Sequence, residues 1–163
     1  MELKEWNLTG NVDLVDAHCH LQDGFLRHAL EPALVRARVA GVRMMCCNGT
    51  HEGDWRYVLG LGRRHGDICV SLGLHPWYVG ERGPHWLARL EELVADHPVG
   101  IGEIGLDNAL AERNDAEQED VFLAQMELAA RYGRPVTIHC RKAFGRLADL
   151  VGGMAARPPH MML

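Results

Sequence analysis

Short β-rich runs alternate with longer stretches of helical spacing along this chain. The runs fall at residues 12–17, 42–47, 67–72, 99–104 and 135–139. Between and after them lie helical patterns at 28–40, 54–65, 84–97, 115–132 and 142–156. In the first pattern Leu30, Leu34 and Val35 recur at helical intervals and Gly41 provides a stop. In the third, Trp86, Leu87, Leu90, Leu93 and Val94 make an i, i+3, i+4 stripe. The fourth carries Val121, Phe122, Met126, Leu128 and Ala129 and closes on Gly133. This order predicts parallel strands joined by right-handed helical crossovers.

After a turn at Arg157-Pro158-Pro159, His160-Met161-Met162-Leu163 reads as the first half of a sixth strand. A closed eight-unit βα barrel takes roughly 250 residues and at least about 200. The expected class is therefore α/β, in one domain over residues 1–163. It is either a small open sheet or the N-terminal part of a barrel, about five and a half βα units long.

Composition excludes several alternatives. Hydrophobic residues make up 47% and charged residues 24% of the 163, the balance of a globular domain rather than a disordered chain. No apolar run approaches the ~20 residues that span a bilayer. Met1-Glu2-Leu3-Lys4-Glu5-Trp6 lacks the basic and apolar regions of a secretory signal. A net charge of −5 gives no global attraction to nucleic acid, so a phosphate substrate must be held by local groups or bound cations. Cys19, Cys46, Cys47, Cys69 and Cys140 form no C-x-x-C pair and all lie in strand-like stretches, which predicts reduced, buried thiols and a cytoplasmic protein.

The candidate chemistry gathers at strand ends. Asp16-Ala17-His18-Cys19-His20 closes the first run, and alternation puts His18 and His20 on one face, where two imidazoles can share a metal ion. Alone, the pair reads equally as a chance H-x-H among ten histidines. Position decides: His75, Glu103 and His139 also stand at the carboxyl ends of runs, and in parallel βα architectures those ends converge on the rim where active sites form. A single-metal or di-metal hydrolytic site is then expected, in which His18 and His20 hold one cation and Glu103 could bridge to a second for which His139 is a ligand. His75 and Arg141 would lie beside the ions and contact a phosphate, so Glu103, His75 and Arg141 are the expected catalytic residues. Asp107 reads at least as well as a loop-positioning residue, and Asp16 as structural support. Trp77 and Tyr78 read as a stacking surface or, slightly better, as loop packing. Gly100-Ile101-Gly102-Glu103-Ile104-Gly105 is no dinucleotide fingerprint, because its central carboxylate would repel a pyrophosphate.

Taken together, Asp16-Ala17-His18-Cys19-His20-Leu21, Gly73-Leu74-His75-Pro76, the run from Ile101 to Asp107 and the run from Pro135 to Arg141 resemble the successive motifs of TatD-type metal-dependent hydrolases. Glu117-Gln118, Phe122, Gln125, Leu128 and Ala129 are similar to that family's helix ahead of the fifth strand. The resemblance runs from about residue 13 to 163 and implies a TIM-type (β/α)8 barrel. It also implies divalent-metal nuclease activity on DNA, typically exonucleolytic, with two ions (Mg²⁺, Mn²⁺ or Zn²⁺); no obligate protein partner is expected from the sequence. By the same resemblance His18 and His20 match the first metal's ligands, Glu103 the bridging carboxylate and His139 a ligand of the second metal. A His on the sixth strand and an Asp on the eighth, further ligands in that family, have no counterpart here. Trp77 stands where a polar residue is usual, and Asn108 where an aromatic is usual. The alternatives are a related metal-dependent amide or ester hydrolase and an inactive fragment of the family.

Overall fold

A computed structural model describes residues 13–112 and 114–163. The readings of residues 1–12, including the N-terminal segment and the start of the first strand, lie outside them. Six strands form one sheet: β1 (Leu14–Cys19), β2 (Val42–Asn48), β3 (Ile68–Leu72), β4 (Gly100–Asp107), β5 (Val136–Arg141) and β6 (Met161–Met162). They alternate with α1 (Leu30–Val39), α2 (Glu52–Arg64), α3 (Trp86–Asp96), α4 (Asp115–Tyr132) and α5 (Phe144–Gly153). All neighbouring strands are parallel, and their spatial order is their chain order, β1 to β6.

That order separates two α/β classes. A doubly wound sheet reverses its strand order at a switch point. Here every crossover steps to the next position in one direction, as in a singly wound barrel wall, and right-handed crossovers then put the helices on one side.

The helices attach through the stripes the sequence predicts. Leu90 and Val94 of α3 and Val121, Phe122, Met126, Leu128 and Ala129 of α4 are buried in the core shared by helices and sheet. Each fully buried side chain of this kind stabilises by about 1.5–3 kcal/mol relative to its exposed state. Val35 departs from expectation: α1 buries Leu30 and Leu34, but Val35 is 54% exposed. Its neighbour Leu34 already takes the inward position, and consecutive helical residues point about 100° apart.

Two other departures bear on the site. The fourth strand does not end at residue 104 but continues to Asp107, so Asp107 lies on the strand. An unforeseen stretch of 3-10 helix, Pro76–Glu81, follows β3. Pro76 sets its first turn, and His75 Nδ1 accepts the Trp77 backbone N–H at 3.1 Å. The cysteines are all free, but only Cys47 is fully buried, and Cys69 is exposed. Cys69 lines a hollow of about 760 Å³ at the amino-terminal ends of the strands, so its position in a β run did not bury it.

Candidate metal centre

Glu103 is the hub of the site. Gly102 and Gly105 flank it on β4, with Gly105 the register partner of His139 on β5. A side chain at Gly105, whose φ is +147°, would collide with the His139 backbone carbonyl. Glycine there lets the two strands close until their functional side chains meet.

The two oxygens of Glu103 serve different partners. Oε2 lies 3.1 Å from His18 Nε2 and 3.1 Å from His20 Nε2, and those two nitrogens are 3.2 Å apart. Oε1 lies 3.1 Å from His139 Nδ1 and 3.7 Å from His75 Nε2. Among the described residues two groups of three possible ligands result: His18, His20 and Glu103, and His75, Glu103 and His139. Donor atoms this close can share one ion with bonds of about 2.0–2.1 Å.

The orientation of each ring is set by its far side. His20 Nδ1 faces the Asn48 carbonyl at 2.9 Å, which only an N–H can satisfy, so Nε2 is the nitrogen turned toward Glu103. Asp16 Oδ1 accepts the His18 backbone N–H at 3.2 Å, the supporting role expected of it. His139 Nε2 lies 3.1 Å from Asp107 Oδ2, which also accepts the Trp77 indole N–H at 2.7 Å. Asp107 Oδ1 accepts the Ala109 N–H at 2.8 Å. Asp107 therefore positions the loop, as one sequence reading held, and also orients a site histidine.

Protonation follows from these surroundings. Burial opposes the charge on Glu103, but hydrogen bonds from His139, His18 and His20 outweigh it and hold its pKa far below the ordinary carboxylate range. Burial likewise opposes Asp107, yet Trp77, the Ala109 amide and His139 keep it low. The hydrogen bond to Glu103 raises the pKa of His20 against its own burial. For His139, burial lowers the pKa and the bonds to Glu103 and Asp107 more than reverse it. His75 is different: burial pushes it down to about 4, so it is neutral at physiological pH. With Nδ1 accepting from Trp77, its proton sits on Nε2, pointed toward Glu103.

These residues face a cavity of about 520 Å³ walled by His18, His20, His75, Glu103 and His139. The remaining wall includes Gln22, Arg27, Thr50, His51, Asp54, Trp77 and Tyr78, none of which the sequence motifs mark as wall except the two aromatics. Asp54 organises that side, accepting from the Thr50 N–H (2.9 Å), the Thr50 hydroxyl (2.7 Å) and Gln22 (3.3 Å). Two further buried amides brace the motifs from α4: Gln125 bonds both the N–H and C=O of Leu74, and Gln118 those of Asp107. Arg141 is not brought in. Its backbone pairs with Asp107, but its side chain is exposed and does not line the cavity.

The family of TatD related DNases matches residues 15–162 of this chain. The chain belongs to that family. A TatD-family relative, the 3'-5' ssDNA/RNA exonuclease TatD of Edwardsiella piscicida, is 33% identical over 152 residues, covering 92% of this chain and 58% of that protein. The uncharacterized metal-dependent hydrolase YjjV of Escherichia coli K12 is 31% identical, covering 82% and 53%. The crystal structure of the TatD homolog YjjV from E. coli K12 superposes with a TM-score of 0.83 at 29% identity, over 88% of this chain and 56% of that one. A TatD-family hydrolase from Entamoeba histolytica, 22% identical with a TM-score of 0.76, shares the fold. The TIM-type barrel class expected from the motifs is therefore that of this chain's wall of strands. The chain spans little more than half the length of these relatives. The donor set, four imidazoles around one buried carboxylate, suits the metal-dependent hydrolysis for which YjjV is named.

Proposed function

We propose that this chain contributes the His/Glu part of a two-metal site that hydrolyses phosphodiester bonds in DNA or RNA from a strand end. The observation that carries the proposal is the division of Glu103: Oε2 on the His18–His20 pair, Oε1 on His139. A carboxylate whose two oxygens serve different histidines could supply donors to two neighbouring cations. His18, His20 and Glu103 would hold one ion, and Glu103 with His139 the other. The donor set fits Zn²⁺ or Mn²⁺, and phosphoryl chemistry often uses Mg²⁺. Such ions, when bound, supply positive charge to the attacking and leaving oxygens and make water more acidic.

The chain's own groups bind and orient. Neutral His75 points an Nε2–H into the cavity as a donor for a phosphoryl oxygen. Arg141, exposed at the carboxyl end of β5, is suited to a more distant phosphate along the strand. Names of relatives support nucleic acid as the substrate class. The free thiols are in keeping with a reducing, cytoplasmic setting, and residues 1–163 are read as one domain without an obligate protein partner.

The test is calorimetric titration of the metal-free protein with Mn²⁺, paired with release of nucleotides from an end-labelled single-stranded oligonucleotide. Two ions per chain, both lost in Glu103→Gln, with metal-dependent cleavage, is the expected result. One ion or none in the wild type, or metal-dependent cleavage of amide or carboxylic ester substrates but not of the oligonucleotide, would overturn it.

A further inference from the structure

Trp77 touches the site twice, through two different N–H groups. Its backbone N–H donates to His75 Nδ1 at 3.1 Å, and its indole N–H donates to Asp107 Oδ2 at 2.7 Å. That same carboxylate oxygen faces His139 Nε2 at 3.1 Å. The indole ring meets His75 edge-on at a centroid distance of 5.0 Å and His139 at 6.3 Å. Yet the residue is 53% exposed and lines the cavity. A tryptophan that fills a core would be buried on all sides. This one is tethered by its polar atoms, with half its surface left to solvent.

We infer that Trp77 is a positioning residue that sets which nitrogen of two site histidines faces the cavity centre. Its backbone amide occupies His75 Nδ1, which leaves that ring's N–H on Nε2, at the cavity wall 3.7 Å from Glu103 Oε1. Its indole N–H holds Asp107 in place against His139 Nε2, which leaves His139 Nδ1 facing Glu103. The two rings thus receive opposite assignments, one a donor to substrate and one a ligand to a cation. The backbone half of this device needs any residue except proline. The indole half needs a donor of this reach, and on the other side of Asp107 the remaining oxygen is already committed to the Ala109 amide. An Asp107 carboxylate without Trp77 keeps only one fixed anchor and can rotate away from His139. Partners of this kind typically change metal affinity by about 10–100-fold when removed.

The inference rests on the reading of His139 as a metal ligand, and the experiment separates the two. In the wild-type protein with ¹⁵N-labelled histidine and bound Zn²⁺, the ring resonances should show His75 protonated at Nε2 with a bare Nδ1, and His139 protonated at Nε2. The opposite nitrogen carrying the proton on either ring overturns the inference without any substitution. Trp77→Phe keeps the ring and the backbone amide but removes the indole donor. It should weaken one of the two ions about 10-fold, leave the ion at His18 and His20 unchanged, and blur the His139 pattern while sparing that of His75. Trp77→His, which can restore a donor, should recover most of the loss. Unchanged affinity and unchanged His139 resonances in Trp77→Phe would sink the inference. His139→Ala is the control: if it leaves both ions bound, the assignment of His139 as a ligand has failed instead.

Discussion

Glu103 Oε1 and His139 Nδ1 lie 3.1 Å apart although 36 residues separate them in the chain. The contact exists because β4 and β5 pair with Gly105 opposite His139, where no Cβ holds the strands apart. It joins a carboxylate kept ionised to an imidazole kept basic, so the pKa values of its two sides are shifted in opposite directions.

In metal-free protein, stability should peak near pH 6–7 and fall on both sides. His20 and His139 have raised pKa values, so their contribution is complete below the unfolded value of about 6.5 and is lost as pH rises through the folded values. His75, lowered to about 4, works the other way: its contribution is complete above about 6.5 and is lost as pH falls toward 4. Glu103 adds to the acid side, its contribution fading as pH drops below the ordinary carboxylate range. Thermal melts in EDTA from pH 4 to 9 check this shape. Saturating Mn²⁺ should remove the alkaline decline, because a cation replaces the protons on the histidine lone pairs.

Gly105→Ala should cost on the order of 3 kcal/mol or more, since the new methyl meets the His139 carbonyl and the backbone sits at a φ that L side chains rarely adopt. Denaturant unfolding measures the loss. The same variant should weaken metal binding, because relief of the collision moves His139 away from Glu103.

Replacing Gln125 with Leu should lower stability by about 2–4 kcal/mol, because Leu74 would keep its place with both its N–H and C=O unpaired in the interior. A fall in melting temperature of roughly 5–15 °C is expected. A loss under 1 kcal/mol would mean that the Gly73-Leu74-His75 segment is held by other contacts.

Asp54→Ala should cost about 2–3 kcal/mol and loosen one wall of the cavity. The carboxylate caps α2 and holds Thr50, and Gln22 reaches it from the β1–α1 loop. Hydrogen exchange of the Thr50 and His51 amides should rise at least tenfold, while the amides of β4 and β5 remain protected.

Much of this protein is legible in its sequence because the relevant signals are local. Strand and helix periods read directly from the chain, and α4 falls at Asp115–Tyr132 where the pattern predicts it. The parallel order and the convergence of strand ends then follow from the handedness of crossovers, which brings His18, His20, Glu103 and His139 to one rim. What the periods cannot carry is register and reach. Whether Asp107 belongs to a loop or to the strand depends on pairing with β5, and the pairing makes it the partner of His139. Arg141 follows the same strand yet points out to solvent, and Cys69 sits in a β run yet is exposed. Trp77 reads from sequence as a stacking surface or, slightly better, as loop packing, but in space its N–H groups reach His75 and the Asp107 carboxylate beside His139, from a 3-10 turn that only folding creates. Sequence determined which residue types arrive at the rim, since their direction is fixed by bonds a few residues away. The tertiary structure decided which atoms touch, because contacts at 3 Å depend on strand register and on close approach at glycine, both set by residues distant in the chain.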